Sequence, residues 1–256
     1  MILDKIVLST KERVARQKRA LPFGELRRQA EALPPAPCFL PSSPGMSFIC
    51  EVKRASPSKG VIAAGFLYLD IARDYERAGA AAISVLTEPE YFQGNDAHLR
   101  EIARAVRLPV LRKDFTIDPY LIYEAKLLGA SAVLLICALL DNAALMEYIE
   151  IAHSLGLSAL VEAHDEAEAA MAVEAGARII GVNNRDLRTF EVDLRTCGRL
   201  RPLIPADRVF VAESGIRTAQ DVAYLRGLGV DAVLVGETLM RADDKEKALR
   251  MLRGLI

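Results

Sequence analysis

Four stretches of the chain share one pattern: "YERAGAAAISVL" (75–86), "AKLLGASAVLLI" (125–136), "VEAGARIIGVN" (173–183) and "LRGLGVDAVLVG" (225–236). Each runs from the end of a helical pattern, through a glycine, into a short apolar run. Gly79, Gly129, Gly176 and Gly229 sit where a left-handed residue would close a helix. A weaker fifth copy surrounds Gly156. The runs that follow are continuously apolar, as suits parallel strands covered on both faces. Eight are predicted, over 47–53, 81–86, 109–113, 132–137, 157–162, 178–183, 208–213 and 231–236, with room for one helix between neighbours. Asp70, Asp118 (with Pro119 at the first helical position) and Thr218 are the expected helix N-caps.

Evenly spaced β/α units in this number predict an α/β fold, a (β/α)₈ TIM barrel that closes without leaving sheet edges; the alternative is a doubly wound open sheet. Residues 1–45 stand outside the repeat. They read as two helices followed by a proline-rich connector (34–45), with too little apolar content to bury a core of their own. The expectation is therefore one barrel domain over 1–256, with 1–45 as an N-terminal helical extension packed on it.

Composition narrows the function classes. The 256 residues are 52% apolar and 26% charged, with a formal net charge of −1. That balance offers no nucleic-acid patch, and the basic run "KERVARQKR" near the start reads as a solvated helix face. The longest apolar runs are too short to span a bilayer. Cys38, Cys50, Cys137 and Cys197 lack C-x-x-C spacing, which with no signal-peptide pattern suggests reduced thiols and a cytoplasmic protein. A monomer or weak homo-oligomer is expected.

The polar residues that interrupt apolar runs are the candidates for chemistry, because barrel active sites form at the C-terminal ends of the strands. Glu51 and Lys53 end the first run, two positions apart and so on one face. Lys113 ends the third, Glu162 the fifth, Asn183 (with Arg185) the sixth, and Glu213 (with Ser214) the seventh. Buried charges are costly unless paired, so such a set would have to converge. Gly215 in "ESGIRT" and Gly236 in "VGETLM" follow the last two runs, where this fold commonly binds phosphate through backbone amides. Lys53 or Ser56 would reach the same anion. Other signals carry little. Gly227, Gly229 and Ala232 mimic a dinucleotide fingerprint but precede their strand. His98, His153 and His164 lack metal-ligand spacing, and His164 is assigned only to the loop past Glu162. Ser214 has no plausible histidine base, which argues against a serine triad.

With those residues identified, the chain closely resembles the indole-3-glycerol-phosphate synthases. "EVKRASPSKG", "SVLTEPEYFQG", "LRKDFTIDPY", "LVEAH", "GVNNRDL", "VAESGI" and "LVGETLM" occur in that order and cover nearly the whole chain. Leu121 stands where the family often has glutamine, and Glu237 where others have serine. The resemblance implies ring closure, decarboxylation and dehydration of 1-(2-carboxyphenylamino)-1-deoxyribulose 5-phosphate, in tryptophan biosynthesis, with no cofactor or metal. It further implies Lys113 as general acid and Glu162 as base or proton partner. Lys53 would hold substrate anions, the carboxylate or the phosphate, and share acid duty with Lys113; Glu51 and Glu213 would orient the lysines and contact substrate hydroxyls, and Asn183 and Arg185 would position substrate. Ser56, Ser214, Gly215, Gly236 and Glu237 would surround the phosphate, with Phe92, Phe115 and Leu187 walling the aryl ring. A phosphoribosylanthranilate isomerase would need a Cys–Asp pair, and Cys50 alternates with Glu51 toward the helices. A barrel that only binds a phosphosugar would have no need of Lys113 or Glu162.

Overall fold

The computed structural model describes residues 2–40, 45–63 and 65–255. Among them, eight parallel strands form a closed barrel: β1 (Ser47–Val52), β2 (Ala82–Leu86), β3 (Val110–Lys113), β4 (Ala132–Ile136), β5 (Ser158–Ala163), β6 (Ile179–Asn183), β7 (Val209–Glu213) and β8 (Ala232–Val235). Each pairs with its sequence neighbour, and β1 closes the ring on β8, with Ser47 opposite Ala232. Closure excludes the open sheet. A TIM barrel is thus the architecture, with strand limits within a residue or two of those read from the apolar runs.

Helices lie between the strands: α3 (Tyr68–Arg77), α4 (Asp96–Ala105), α5 (Pro119–Leu128), α6 (Asn142–Ser154), α7 (Glu166–Glu174), α8 (Arg195–Leu200) and α9 (Ala219–Gly227), with α10 (Glu237–Arg241) and α11 (Lys245–Leu252) after β8; α1 (Ile2–Ala20) and α2 (Phe23–Glu31) precede the barrel. Asp118 caps α5 through the Tyr120 N–H, and Thr218 caps α9 in a reciprocal capping box with Asp221. Asp70 does not cap α3. That helix starts at Tyr68, because Leu67 O already accepts from the Ile71 N–H, and Asp70 falls in the first turn. An acid there still complements the helix dipole. The five repeat glycines all have positive φ, +69° to +90°.

Strand periodicity sorts side chains into two layers. Cys50, Val52, Val161 and Val233 point out to the helices, while Ile49, Leu111, Leu160, Val211 and Leu234 fill the barrel. Two expectations for the N-terminal extension are corrected. The basic run on α1 is not wholly solvated: Arg13 is buried and makes a two-pronged ion pair with Asp114, at 2.7 and 3.0 Å, beyond the end of β3. The connector is more than a spacer, since Phe39 is fully buried in the barrel's interior cluster. Residues 41–44 of that connector lie outside the described residues.

Candidate active site

The inward positions at the C-terminal ends of the strands are polar where the positions beneath them are apolar. On β1 the inward series is Ile49 then Glu51; on β3, Leu111 then Lys113; on β5, Leu160 then Glu162; on β7, Val211 then Glu213. Two residues per step therefore carry the chain from a sealed core to a charged floor. Above it opens a cavity of about 560 Å³, a volume suited to a small-molecule substrate. Every residue singled out in the sequence lines it: Glu51, Lys53, Ser56, Phe92, Lys113, Phe115, Glu162, Asn183, Arg185, Leu187, Glu213, Ser214, Gly215, Gly236 and Glu237.

The charges fall into two connected groups. Lys53 Nζ pairs with Glu51 Oε1 at 2.6 Å, and Ser84 Oγ on β2 lies 3.4 Å from the other oxygen. Lys113 Nζ lies 3.0 Å from Glu162 Oε2 and 3.4 Å from Glu213 Oε2. Asn183 Nδ2 donates to Glu162 Oε1 at 3.2 Å. Burial opposes the charge on Lys113, but Glu162, Glu213 and Glu51 outweigh it and hold the ammonium far above its ordinary range. Glu162 is the mirror case. Burial would raise it, yet Lys113 and His164 keep it well below the carboxylate range. Glu213 has lost that competition: burial first, and then the charge of Glu162, push it up to about 8 against the pull of Lys113. The floor therefore favours the ammonium on Lys113, the ionised form of Glu162 and the protonated form of Glu213, environments pushed apart as proton-transfer chemistry requires.

The rim is shaped by backbone. Ser214 and Gly215 are consecutive left-handed residues, φ +66° and +82°, and a side chain on Gly215 would run into Val192. Gly236 has negative φ, so space rather than backbone conformation explains it: a Cβ there would collide with Glu51 and press on Lys53 Nζ. Phe92 and Phe115 form an aromatic corner with ring centroids 5.9 Å apart. Arg185 Nη1 donates to the Phe190 carbonyl at 3.0 Å, which steadies the loop carrying Leu187.

Several contributors escape sequence reasoning. His164 does not merely line a loop: its Nε2 lies 3.1 Å from Glu162 Oε1. Gly181 on β6 leaves the space that the Glu213 carboxylate occupies; a glycine inside an apolar strand was the available signal. Ile2, Leu3 and Ile6 on α1 line the cavity, so the extension forms part of its wall. Nothing in their local sequence marks them. Leu121, a departure from the family pattern, is buried in the outer core, away from the cavity lining. Among the described residues no cluster of His, Cys, Asp and Glu is arranged to hold a metal ion, and no helix is long and apolar enough to cross a membrane.

Fold and site together define a (β/α)₈-barrel enzyme with paired lysines and carboxylates at the mouth of its barrel. The family model described as indole-3-glycerol phosphate synthase matches residues 3–252. The chain belongs to that family, and it is thereby a lyase, a decarboxylating enzyme of tryptophan biosynthesis that acts on a phosphorylated substrate. It is 58% identical to the indole-3-glycerol phosphate synthase of Ruminiclostridium cellulolyticum, across 99% of both chains. It is 52% identical to that of Endomicrobium trichonymphae, across 99% of this chain and all of the other. Among solved structures, a 3-hexulose-6-phosphate synthase superposes with a TM-score of 0.65 at 15% identity, over 82% of this chain and 100% of that one. A thiamine phosphate pyrophosphorylase from Pyrococcus furiosus gives 0.61 at 19% identity, over 82% and 94%. Likeness at such low identity speaks for the fold alone.

Proposed function

We propose that the cavity closes the indole ring of 1-(2-carboxyphenylamino)-1-deoxyribulose 5-phosphate, with Lys113 as the general acid. The carrying observation is the placement of Lys113 Nζ, 3.0 Å from Glu162 and 3.4 Å from Glu213 on the cavity floor. Lys113 protonates the ribulose C2 carbonyl oxygen as the aromatic carbon bearing the carboxylate attacks C2. The carboxylate then leaves as carbon dioxide, and its bond electrons restore the aromatic ring. Loss of the C2 hydroxyl as water, with a proton lost from the neighbouring C1 methylene, forms the C1–C2 double bond and completes indole-3-glycerol phosphate, which keeps its ring N–H. Glu162 is the proton acceptor in that dehydration, and Lys113 again the donor.

The remaining residues bind and orient. Lys53, held by Glu51, meets the substrate's negative charge. Asn183 and Glu213 fix the groups around Lys113, and Arg185 holds the loop that carries Leu187. Phe92, Phe115 and Leu187 pack the aryl ring. The backbone at Ser214, Gly215, Gly236 and Glu237, together with Ser56, receives the phosphate. Residues 1–45 belong to the same catalytic unit.

The test is incubation of the purified chain with this substrate, followed by indole fluorescence. Lys113→Ala is expected to lose about 10²–10⁴-fold in kcat while its circular dichroism spectrum stays that of the wild type. Turnover near the wild-type rate would remove Lys113 from the mechanism.

A further inference from the structure

Glu162 has one more partner than this chemistry uses. Lys113 occupies its Oε2, while Oε1 accepts from Asn183 Nδ2 and also faces His164 Nε2 at 3.1 Å. The His164 ring is braced from behind. Its Nδ1 lies 2.8 Å from Glu168 Oε2, and the same oxygen accepts the His164 backbone N–H at 2.9 Å. Glu168 sits in the first turn of α7, where its own backbone N–H donates to the capping carboxylate of Asp165 at 2.9 Å. One imidazole thus ties the end of β5 to the start of α7.

The Nε2–Oε1 contact is an ion-pair approach that lacks hydrogen-bond alignment, and a ring set between two carboxylates is favoured as imidazolium. Burial works against that charge, but Glu162 and Glu168 outweigh it and raise the ring to about 10. Asp186, in the loop after β6, adds further negative charge. The Cys137 thiol after β4, pushed up to about 12 chiefly by burial, adds none at neutral pH. Lys113 is the opposing cation across Glu162.

We propose that His164 is a positioning residue: braced by Glu168, it pins Glu162 Oε1 and so keeps Oε2 aimed at Lys113. This rests on the reading that Glu162 takes part in proton transfer, and the variants below tell the failure of one from the failure of the other. Without His164, the carboxylate keeps Lys113 and Asn183 but is free to turn about its terminal torsion. The lysine–carboxylate geometry then loosens without the loss of a substrate contact.

The experiment compares variants of the full chain in the ring-closure assay. His164→Ala is expected to lower kcat about tenfold with KM within about twofold, because the geometry of proton transfer is sensitive to small displacements. His164→Gln, which keeps a donor of similar reach, is expected to recover most of that loss. Glu168→Gln is expected to lose about threefold. Glu162→Gln is expected to lose about a hundredfold or more, and adding His164→Ala to it to cost nothing further. The chain has three histidines, so the ring is readable directly: in ¹⁵N spectra one histidine should remain doubly protonated at pH 8. Glu168→Gln should return it toward ordinary imidazole behaviour. Wild-type kcat in His164→Ala beside a crippled Glu162→Gln overturns the role of His164 and leaves that of Glu162. A Glu162→Gln enzyme at the wild-type rate overturns both. Should His164→Ala not fold, unchanged kcat in Glu168→Gln, or a wild-type His164 ring that is neutral at pH 8, overturns the proposal.

Discussion

Replacing Glu213 by glutamine is expected to make the protein more stable and less active, with a stability gain that depends on pH. The carboxyl's ordinary value is 4.5 and its folded value about 8, chiefly through burial beside Glu162. Between those values the folded chain holds a proton that the unfolded chain has released. By linkage the folded state therefore loses stability as pH rises through this window: the cost is absent well below about 4.5 and complete above about 8. At about 1.4 kcal/mol per pH unit, its ceiling is roughly 5 kcal/mol. That ceiling is already net of the pull of Lys113, 3.4 Å away; relaxation and water entry around a buried ion reduce it further, so a net gain of roughly 2 kcal/mol is expected at pH 8.5. For a chain of this size that is a rise in Tm of about 4–8 °C. At pH 5 the gain should be under about 1 kcal/mol. The kcat should fall about tenfold, since the residue beside Lys113 no longer titrates; activity and stability commonly oppose each other at such sites. Thermal unfolding of both proteins at pH 5 and 8.5, with kcat at each pH, is the assay. An equal stability change at the two pH values, or a variant less stable at pH 8.5, would refute the reasoning.

Gly215→Ala should raise KM about tenfold and lower stability by about 1–3 kcal/mol, because the residue is left-handed and its new methyl meets Val192; steady-state kinetics with an unchanged KM would count against a phosphate contact there. Asp114→Asn should cost about 3 kcal/mol in urea unfolding at pH 7, because Arg13 and Arg112 lose the charge between them. Burial opposes the ionised form of Asp114, but those arginines hold its carboxyl below the ordinary 3.8. Its contribution is therefore present above about 3.8 and lost as pH falls through the lower folded value, and the two proteins should converge in stability at strongly acid pH.

What the amino-acid order settles alone is whatever depends on neighbours a few residues apart. Continuous apolar runs, glycines that end helices and caps such as Asp118 and Thr218 are local in this sense, and they suffice for eight β/α units. Where the local reading erred, another segment or the adjacent residue had decided the matter. Asp70 is a good cap, but the chain turns into helix at Leu67 before reaching it. Arg13 looks like part of a solvated face until β3 presents Asp114.

The site divides the same way. Period-two alternation already points Glu51, Lys113, Glu162 and Glu213 inward at the strand ends, so their identities were legible. Their chemical states were not. Nothing local makes Glu162 anionic and Glu213 a protonated acid, since both are glutamates ending apolar strands. Barrel closure brings one ammonium between them and sets His164 behind only one. Gly181 matters because a carboxylate from the next strand fills its space, and Ile2 because α1 folds across the mouth. Local sequence determined which side chains reach the interior; only closure of the ring decided which charges meet, because Coulomb and desolvation energies depend on distances that chain separation does not encode.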